Sequence, residues 1–175
     1  MALYQGENQK MTGSANSTNR FISGAENLQK IADRIVRNDD LCKLLTRYNQ
    51  NVLDDKTPVT NAERKELLTS RIKTVPVLEK EQEIGAYIIV SIGTVTSLGT
   101  TGLNYNITFD ILCNSDIWSL NGYIPRPYYI MNEIDSMFHD TKMKGIGPMT
   151  FMGAAPIKIN EKMFGYTMLF NVGDI

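Results

Sequence analysis

The chain has 175 residues, a formal charge of −1 at pH 7 and 42% hydrophobic side chains. This size fits a single domain whose core is large enough to fold without metal or disulfide cross-links. The near-zero net charge excludes a general attraction to nucleic acid or anionic lipid, so such a contact would need a local patch. Residues 1–8 lack a signal-peptide pattern and no stretch approaches the roughly 20 apolar residues that cross a bilayer, so we expect a soluble cytoplasmic product.

Residues 1–22 predict a flexible arm rather than a folded element. They combine Gly, Asn, Ser, Thr and Gln with a few apolar side chains, among them Leu3, Tyr4 and Met11, which are too few to fix a helix or a strand. Two interpretations stay open: a disordered terminus, and a segment that becomes ordered on a neighbouring subunit. Residues 23–175 are predicted to form one α+β domain.

The first part of this domain has helical patterns. Residues 25–49 carry Leu and Ile at the three-and-four spacing of a helix face, with an interruption at Asn38, which indicates two helices or one kinked helix. Thr60 and Glu63 have the spacing of a capping box, in which each residue bonds the backbone amide of the other. This pair predicts a third, short helix that runs towards Ile72.

The second part predicts a mixed, mainly antiparallel β-sheet of about four strands. The expected strands are residues 84–98, 105–113, 149–159 and 163–172. Glycine-rich residues 94–104 predict a projecting hairpin between the first two strands. Residues 128–138 have one apolar face and predict an amphipathic helix packed on the sheet. The N-terminal helices would flank the same sheet.

The chain offers few groups for catalysis. His139 is the only histidine and stands at the predicted C-terminus of a helix, where a capping role is favoured. A site with two or three histidines is therefore excluded within one chain, and we expect no catalytic residue, cofactor or metal. A pocket that united Asp110, Tyr128 and His139 would instead favour an enzyme or a small-molecule binding domain. Cys42 and Cys113 are expected to be buried thiols in a reducing compartment.

Residues 114–127 predict a long loop that holds Trp118 and Arg126. Both residue types are enriched among side chains that dominate the energetics of interfaces. The plainer interpretations are that Trp118 closes the edge of the core and that Arg126 binds a nearby carboxylate. The candidate interface residues are Tyr4 in the arm, Leu98 and Leu103 in the hairpin, and Trp118 and Arg126 in the loop.

The order of these elements resembles the bacteriophage tail-terminator and neck-protein family, small α+β proteins that form rings at the top of a phage tail. The resemblance covers about residues 25–175. It rests on the helix with Ile31-Ala32-Asp33-Arg34-Ile35-Val36, the connector with Val75-Pro76, the hairpin, the loop with Trp118 and Arg126, the helix from Ile130 to Phe138 and the two last strands. It implies a subunit of a closed ring, usually a hexamer, that caps the tail tube and joins it to the head-side connector.

The same resemblance implies partners and a location. The partners would be copies of the chain, tail-tube and connector proteins, and a sheath if the tail is contractile. DNA would only pass through the lumen, no membrane would be involved, and the protein would reach the virion after assembly in the host cytoplasm. Two alternatives stay open: another virion protein, such as a head-tail adaptor, a tube subunit or a baseplate subunit, and a small-molecule binding domain or enzyme.

Overall fold

A computed structural model describes residues 20–74, 84–98, 102–143 and 146–172. Its helices are α1 (Arg20–Ile35), α2 (Asp39–Thr46), α3 (Asn61–Ser70) and α4 (Arg126–Phe138), and its strands are β1 (Ile72–Lys73), β2 (Ala86–Leu98), β3 (Gly102–Asn114), β4 (Met149–Lys158) and β5 (Met163–Val172). The strands form one sheet in the order β1-β2-β3-β5-β4, in which only the β1–β2 pair is parallel. The predicted α+β class with a mainly antiparallel sheet is confirmed.

The fifth strand, β1, lies where the sequence predicted the end of a helix. The helix α3 ends at Ser70, and Ile72 then pairs in parallel with Ile88 of β2. Because β1 has only two residues, it shows no alternation of apolar and polar side chains. Its sequence therefore does not distinguish a strand from the last turn of α3. Its position at the sheet edge is set by pairing with β2, which follows later in the chain.

The predicted boundary between arm and domain falls inside α1. Residues 1–19, including most of the predicted arm, lie outside the described residues, but α1 already begins at Arg20. A helix extends by a turn at little cost once its later turns are packed, and here Ile31 and Ile35 are fully buried. Residues 20–22 therefore belong to the helix, although their composition resembles that of the arm.

Two capping interactions set the starts of the next helices. The Asn38 side chain accepts a hydrogen bond from the Leu41 amide at 3.0 Å, so α1 and α2 are separate helices rather than one kinked helix. At the start of α3, Thr60 Oγ1 accepts from the Glu63 amide at 3.2 Å, and Glu63 Oε2 accepts from the Thr60 amide at 2.7 Å. The predicted capping box is confirmed.

The helices cover one face of the sheet. On that face the central strand β3 places Phe109, which is fully buried and contacts the rings of Phe138 at 5.2 Å and Phe170 at 5.4 Å between centroids. The intervening residues of β3 face the other side of the sheet, where Thr108 lies 2.6 Å from Ser91 between hydroxyl oxygens. The core thus lies between α4, the N-terminal helices and one face of the sheet.

The hairpin of β2 and β3 extends beyond its neighbour. β3 pairs with β5 from Tyr105 onwards, whereas Gly102–Asn104 pairs only with β2. The projecting hairpin is therefore confirmed over its described residues, and residues 99–101 at its tip lie outside them. At the other end of β3, the predicted loop contains two short 3₁₀ turns, Ser115–Ile117 and Asn121–Tyr123.

Candidate interaction surface

Arg126 lies inside the molecule with no exposed surface. Its guanidinium donates hydrogen bonds to four backbone carbonyl oxygens: those of Leu44 at 2.8 Å, Arg47 at 2.9 Å, Asn49 at 3.2 Å and Ile117 at 2.9 Å. These bonds join the start of α4 to the end of α2 and to the first 3₁₀ turn. The residue acts as an internal clamp between three segments of the chain.

The position of Arg126 corrects its assignment as a candidate interface residue, because its fully buried side chain does not reach the surface. Three of its acceptors lie at or just after the C-terminus of α2, where carbonyl groups lack helical partners and carry partial negative charge. This partial charge takes the place of the carboxylate that the sequence suggested. Burial lowers the pKa of the Arg126 guanidinium, which nevertheless stays protonated because arginine is so strongly basic.

The clamp holds a loop whose tip is strongly exposed. Tyr123 is 97% exposed and has a positive φ of 65°, next to Gly122 with φ of 81°. The amide of Asn121 donates to the carbonyl of Gln50 at 3.0 Å, which ties the second 3₁₀ turn to the chain beyond α2. A tyrosine in the left-handed region is strained, and such strain is concentrated at functional sites. The loop therefore presents a large aromatic side chain to solvent.

A groove of about 700 Å³ lies beside this loop, and we call it the aromatic groove. Its walls are Trp118 and Ser119 from the loop, Pro156 and Lys158 from β4, and Phe164 and Tyr166 from β5. The Trp118 and Phe164 rings pack edge to face with centroids 6.4 Å apart, and Lys158 Nζ lies 5.4 Å from the Phe164 centroid. The groove can therefore accept an apolar or aromatic side chain together with a negative charge.

A pair of tyrosines joins α4 to β5 at this groove. The hydroxyl oxygens of Tyr128 and Tyr166 are 2.8 Å apart and their ring centroids 5.1 Å apart. The hydrogen bond to Tyr128, followed by burial, raises the pKa of the Tyr166 hydroxyl. Tyr128 is also 47% exposed, so the aromatic surface continues from the groove onto α4.

The structure brings only part of the predicted interface set together. Trp118 is half-buried in the aromatic groove, while Arg126 holds the adjoining loop from inside. Leu98 and Leu103 pair through their backbones with Gly102 and Ser97, and their side chains are not described. Tyr4 lies outside the described residues.

Tyr123, Phe164 and Tyr166 were not singled out from the sequence. The turn signal Asn121-Gly122 next to Tyr123 could have indicated an exposed tyrosine. Pro156 could have indicated that β4 is an edge strand, since proline cannot donate to a neighbouring strand. No local signal shows that β5 and the loop share a groove.

The three residues proposed for an alternative pocket are separated. Asp110 lies on the sheet face opposite the helices and accepts a hydrogen bond from Thr167 at 2.6 Å. Tyr128 and His139 stand near opposite ends of α4, about 16 Å apart at the rise of an α-helix. His139 Nδ1 accepts from the Phe151 amide at 3.1 Å, which joins the end of α4 to β4.

The thiols and carboxylates of the described residues show no reactive grouping. Burial raises the pKa of Cys42 to about 11 and that of Cys113 to about 12. Within residues 20–74, 84–98, 102–143 and 146–172, no three His, Cys, Asp or Glu side chains are grouped so that they could hold a metal ion. No helix in these same ranges is long and apolar enough to cross a membrane.

The fold and the groove define an α+β protein with an exposed aromatic groove at one end of its sheet. The chain belongs to the YomW family, whose model matches residues 38–172, from α2 to the end of β5. This family is phage-derived and comprises proteins like YomW of Bacillus phage SPBc2. No curated protein and no solved structure matches the chain.

Proposed function

We propose that the protein is a structural subunit of a phage particle, a tail-terminator or neck protein that forms a ring, most simply a hexamer. The phage-derived family supports the particle as its setting. The ring would cap the tail tube and join it to the head-side connector, with DNA passing through the lumen. The protein would then act by assembly and not by catalysis.

The observation that carries this proposal is the exposed Tyr123 on a clamped loop. A tyrosine in the left-handed region costs about 1–3 kcal/mol of backbone strain, and a ring that is 97% exposed recovers none of this cost by packing within its own chain. Tyrosine is also enriched among residues that dominate binding at interfaces. Tyr123 therefore has the properties of an anchor that becomes buried when subunits meet.

The open edge of the sheet supports the same proposal. β4 stands at one edge of the described sheet, and its residues Ala154, Ala155 and Pro156 are exposed. Pro156 and the irregular register between Phe151 and Gly153 already interrupt strand pairing at this edge, so a partner would cover its exposed side chains rather than free backbone groups. A neighbouring subunit in a ring would cover β4, and a contact between two different surfaces closes into a ring when its rotation permits.

The first test is the mass of the full-length protein in solution, measured by light scattering after size exclusion, with negative-stain images of the same peak. Closed rings of about six subunits are expected. Long tubes would point to a tube subunit, which assembles without a closed end. A monomer that neither forms rings nor binds isolated phage tails would contradict the proposal and favour a binding domain.

A further inference from the structure

We propose that the aromatic groove binds residues 1–19 of a neighbouring copy of this chain. This inference rests on the proposed ring and names the segment that joins one subunit to the next. The evidence is the position of the groove relative to the start of α1, the chemistry of its walls, and the composition of the N-terminal residues.

The start of α1 and the groove lie at opposite ends of the sheet. The first turns of α1 pack beside the hairpin end, where Asn27 Nδ2 donates to the Tyr105 hydroxyl at 3.0 Å. The groove lies at the other end of β3, beside Ser115 and Phe164. Nine residues of strand separate Tyr105 from Asn114, which corresponds to about 30 Å. The N-terminal residues therefore leave the domain far from the groove of their own chain.

The length of the N-terminal segment is sufficient for a contact between subunits. Nineteen residues in extended conformation span at most about 65 Å. This reach also covers the roughly 30 Å to the groove of the same chain, which the segment would have to span along the whole sheet. In a head-to-tail ring, the hairpin end of one subunit would meet the groove end of the next, so the segment would bridge a shorter gap. Binding in trans would then link each subunit to its neighbour in the same direction.

The chemistry of the groove matches the few distinctive side chains of this segment. Leu3 and Tyr4 can fill the space between Trp118 and Tyr166, which offers aromatic walls. Glu7 follows three residues later and complements Lys158, whose ammonium group stands at the rim.

Cysteine cross-linking in the full-length protein tests the contact directly. One copy carries Leu3→Cys and a second copy, marked by a mass tag, carries Ser119→Cys at the rim of the groove. The native Cys42 and Cys113 are buried, so the introduced thiols react selectively. We expect the disulfide between the Leu3→Cys copy and the Ser119→Cys copy to form at least tenfold faster than the disulfide between the Leu3→Cys copy and a control copy that carries Lys65→Cys. Lys65 is exposed on α3, which contacts β1 at the edge of the sheet opposite β4.

Equal rates for the two pairs would overturn the inference. So would rapid closure within a single chain that carries both Leu3→Cys and Ser119→Cys, since that result places the segment in the groove of its own subunit. The mass of each sample separates the two proposals. Rings with unselective cross-linking overturn only the groove assignment, whereas monomers that cross-link unselectively and also fail to bind isolated phage tails overturn the ring as well.

The fluorescence of Trp118 gives a second measurement that needs no cysteine. It is the only tryptophan in the chain and lies in the groove wall. We expect Tyr4→Ser to shift its emission to longer wavelength at concentrations where the unmodified protein is assembled, because water would enter the uncovered groove. The matched control is Gln9→Ser, which should leave the emission unchanged. Identical spectra for Tyr4→Ser and the unmodified protein would overturn the inference.

Discussion

Arg126 donates a hydrogen bond from Nη1 to the carbonyl oxygen of Leu44 at 2.8 Å, across 82 positions of the chain. The bond joins the first residue of α4 to the last turn of α2. Because the same guanidinium also binds the carbonyl of Ile117, it fixes the loop that carries Tyr123 and Trp118. A buried internal cation thus holds the candidate interaction surface in place.

Replacing Arg126 should destabilise the protein strongly. In Arg126→Met, four buried or partly buried carbonyls lose their donor, and each unsatisfied group costs about 1–3 kcal/mol before water enters. We expect the free energy of unfolding to fall by about 4 kcal/mol in urea denaturation, and by about half as much in Arg126→Lys. The exposed Lys65→Met serves as control and should stay within about 0.5 kcal/mol. A loss below about 1 kcal/mol for Arg126→Met would show that the hydrogen bonds of Arg126 do not hold these segments together.

Phe109→Ala should also destabilise the protein, through a cavity in the centre of the core. Phe109 is fully buried and touches the rings of Phe138 and Phe170. Truncation of such a side chain costs about 3–5 kcal/mol because the surroundings close only in part. Denaturation in urea measures the change. A cost below about 1 kcal/mol would mean that β3 does not carry the core.

Local patterns were sufficient to predict much of the fold. The capping box of Thr60 and Glu63 involves residues three apart, so its chemistry is complete within one turn. Residues 105–113 alternate between apolar and polar side chains, which indicates both the strand β3 and the face that packs against the helices. The order of strands and helices along the chain was predictable because each segment shows its own local pattern.

The candidate surface depends on contacts between distant segments. The acceptors of Arg126 at Leu44 and Asn49 lie 82 and 77 residues earlier, and no local spacing connects them to it. A polar side chain in a loop was therefore expected at the surface, although its bonds place it inside. The aromatic groove combines Trp118 with Phe164 of β5, and only the pairing of β3 with β5 brings them together.

The two thiols should be unreactive in the folded protein. Burial raises the pKa of Cys42 to about 11 and that of Cys113 to about 12, so the thiolate is scarce at about pH 8. A disulfide reagent should modify neither thiol within minutes in buffer, and both in urea. Rapid modification of one thiol in buffer would contradict the burial.

The same shifts predict a loss of stability in alkali. Unfolded thiols titrate near their ordinary pKa of 9.0, whereas the folded ones titrate higher, so the unfolded state loses its protons first. The stability that the two protonated, buried thiols contribute is fully present below about pH 9 and is lost as the pH rises towards 11 or 12. Cys42→Ala should therefore show a smaller drop in its urea midpoint between about pH 8 and about pH 10.5 than the unmodified protein. Equal drops would contradict the linkage.

Gly165→Ala should be far more damaging than Gly93→Ala. A Cβ atom at Gly165 would overlap the carbonyl oxygen of Ile111, so β5 would have to move away from β3. At Gly93 the nearest atom to such a Cβ lies at 3.6 Å, which is an ordinary contact. We expect the first variant to lose about 3 kcal/mol or to fail to fold, and the second to change by less than about 1 kcal/mol. Thermal unfolding compares the two, and equal losses would contradict the close approach.

Tyr123→Asn should separate stability from assembly. Asparagine tolerates the positive φ of 65° better than tyrosine, and the exposed ring makes little contact within the chain. We therefore expect the variant to keep or raise its free energy of unfolding by up to about 1 kcal/mol. If Tyr123 anchors a neighbouring subunit, the same variant should assemble into rings at least tenfold more weakly by light scattering. Lys65→Asn is the control, an exposed residue on α3 outside the loop whose change should leave assembly intact. Unchanged assembly in Tyr123→Asn would show that the strained tyrosine does not lie in the contact between subunits.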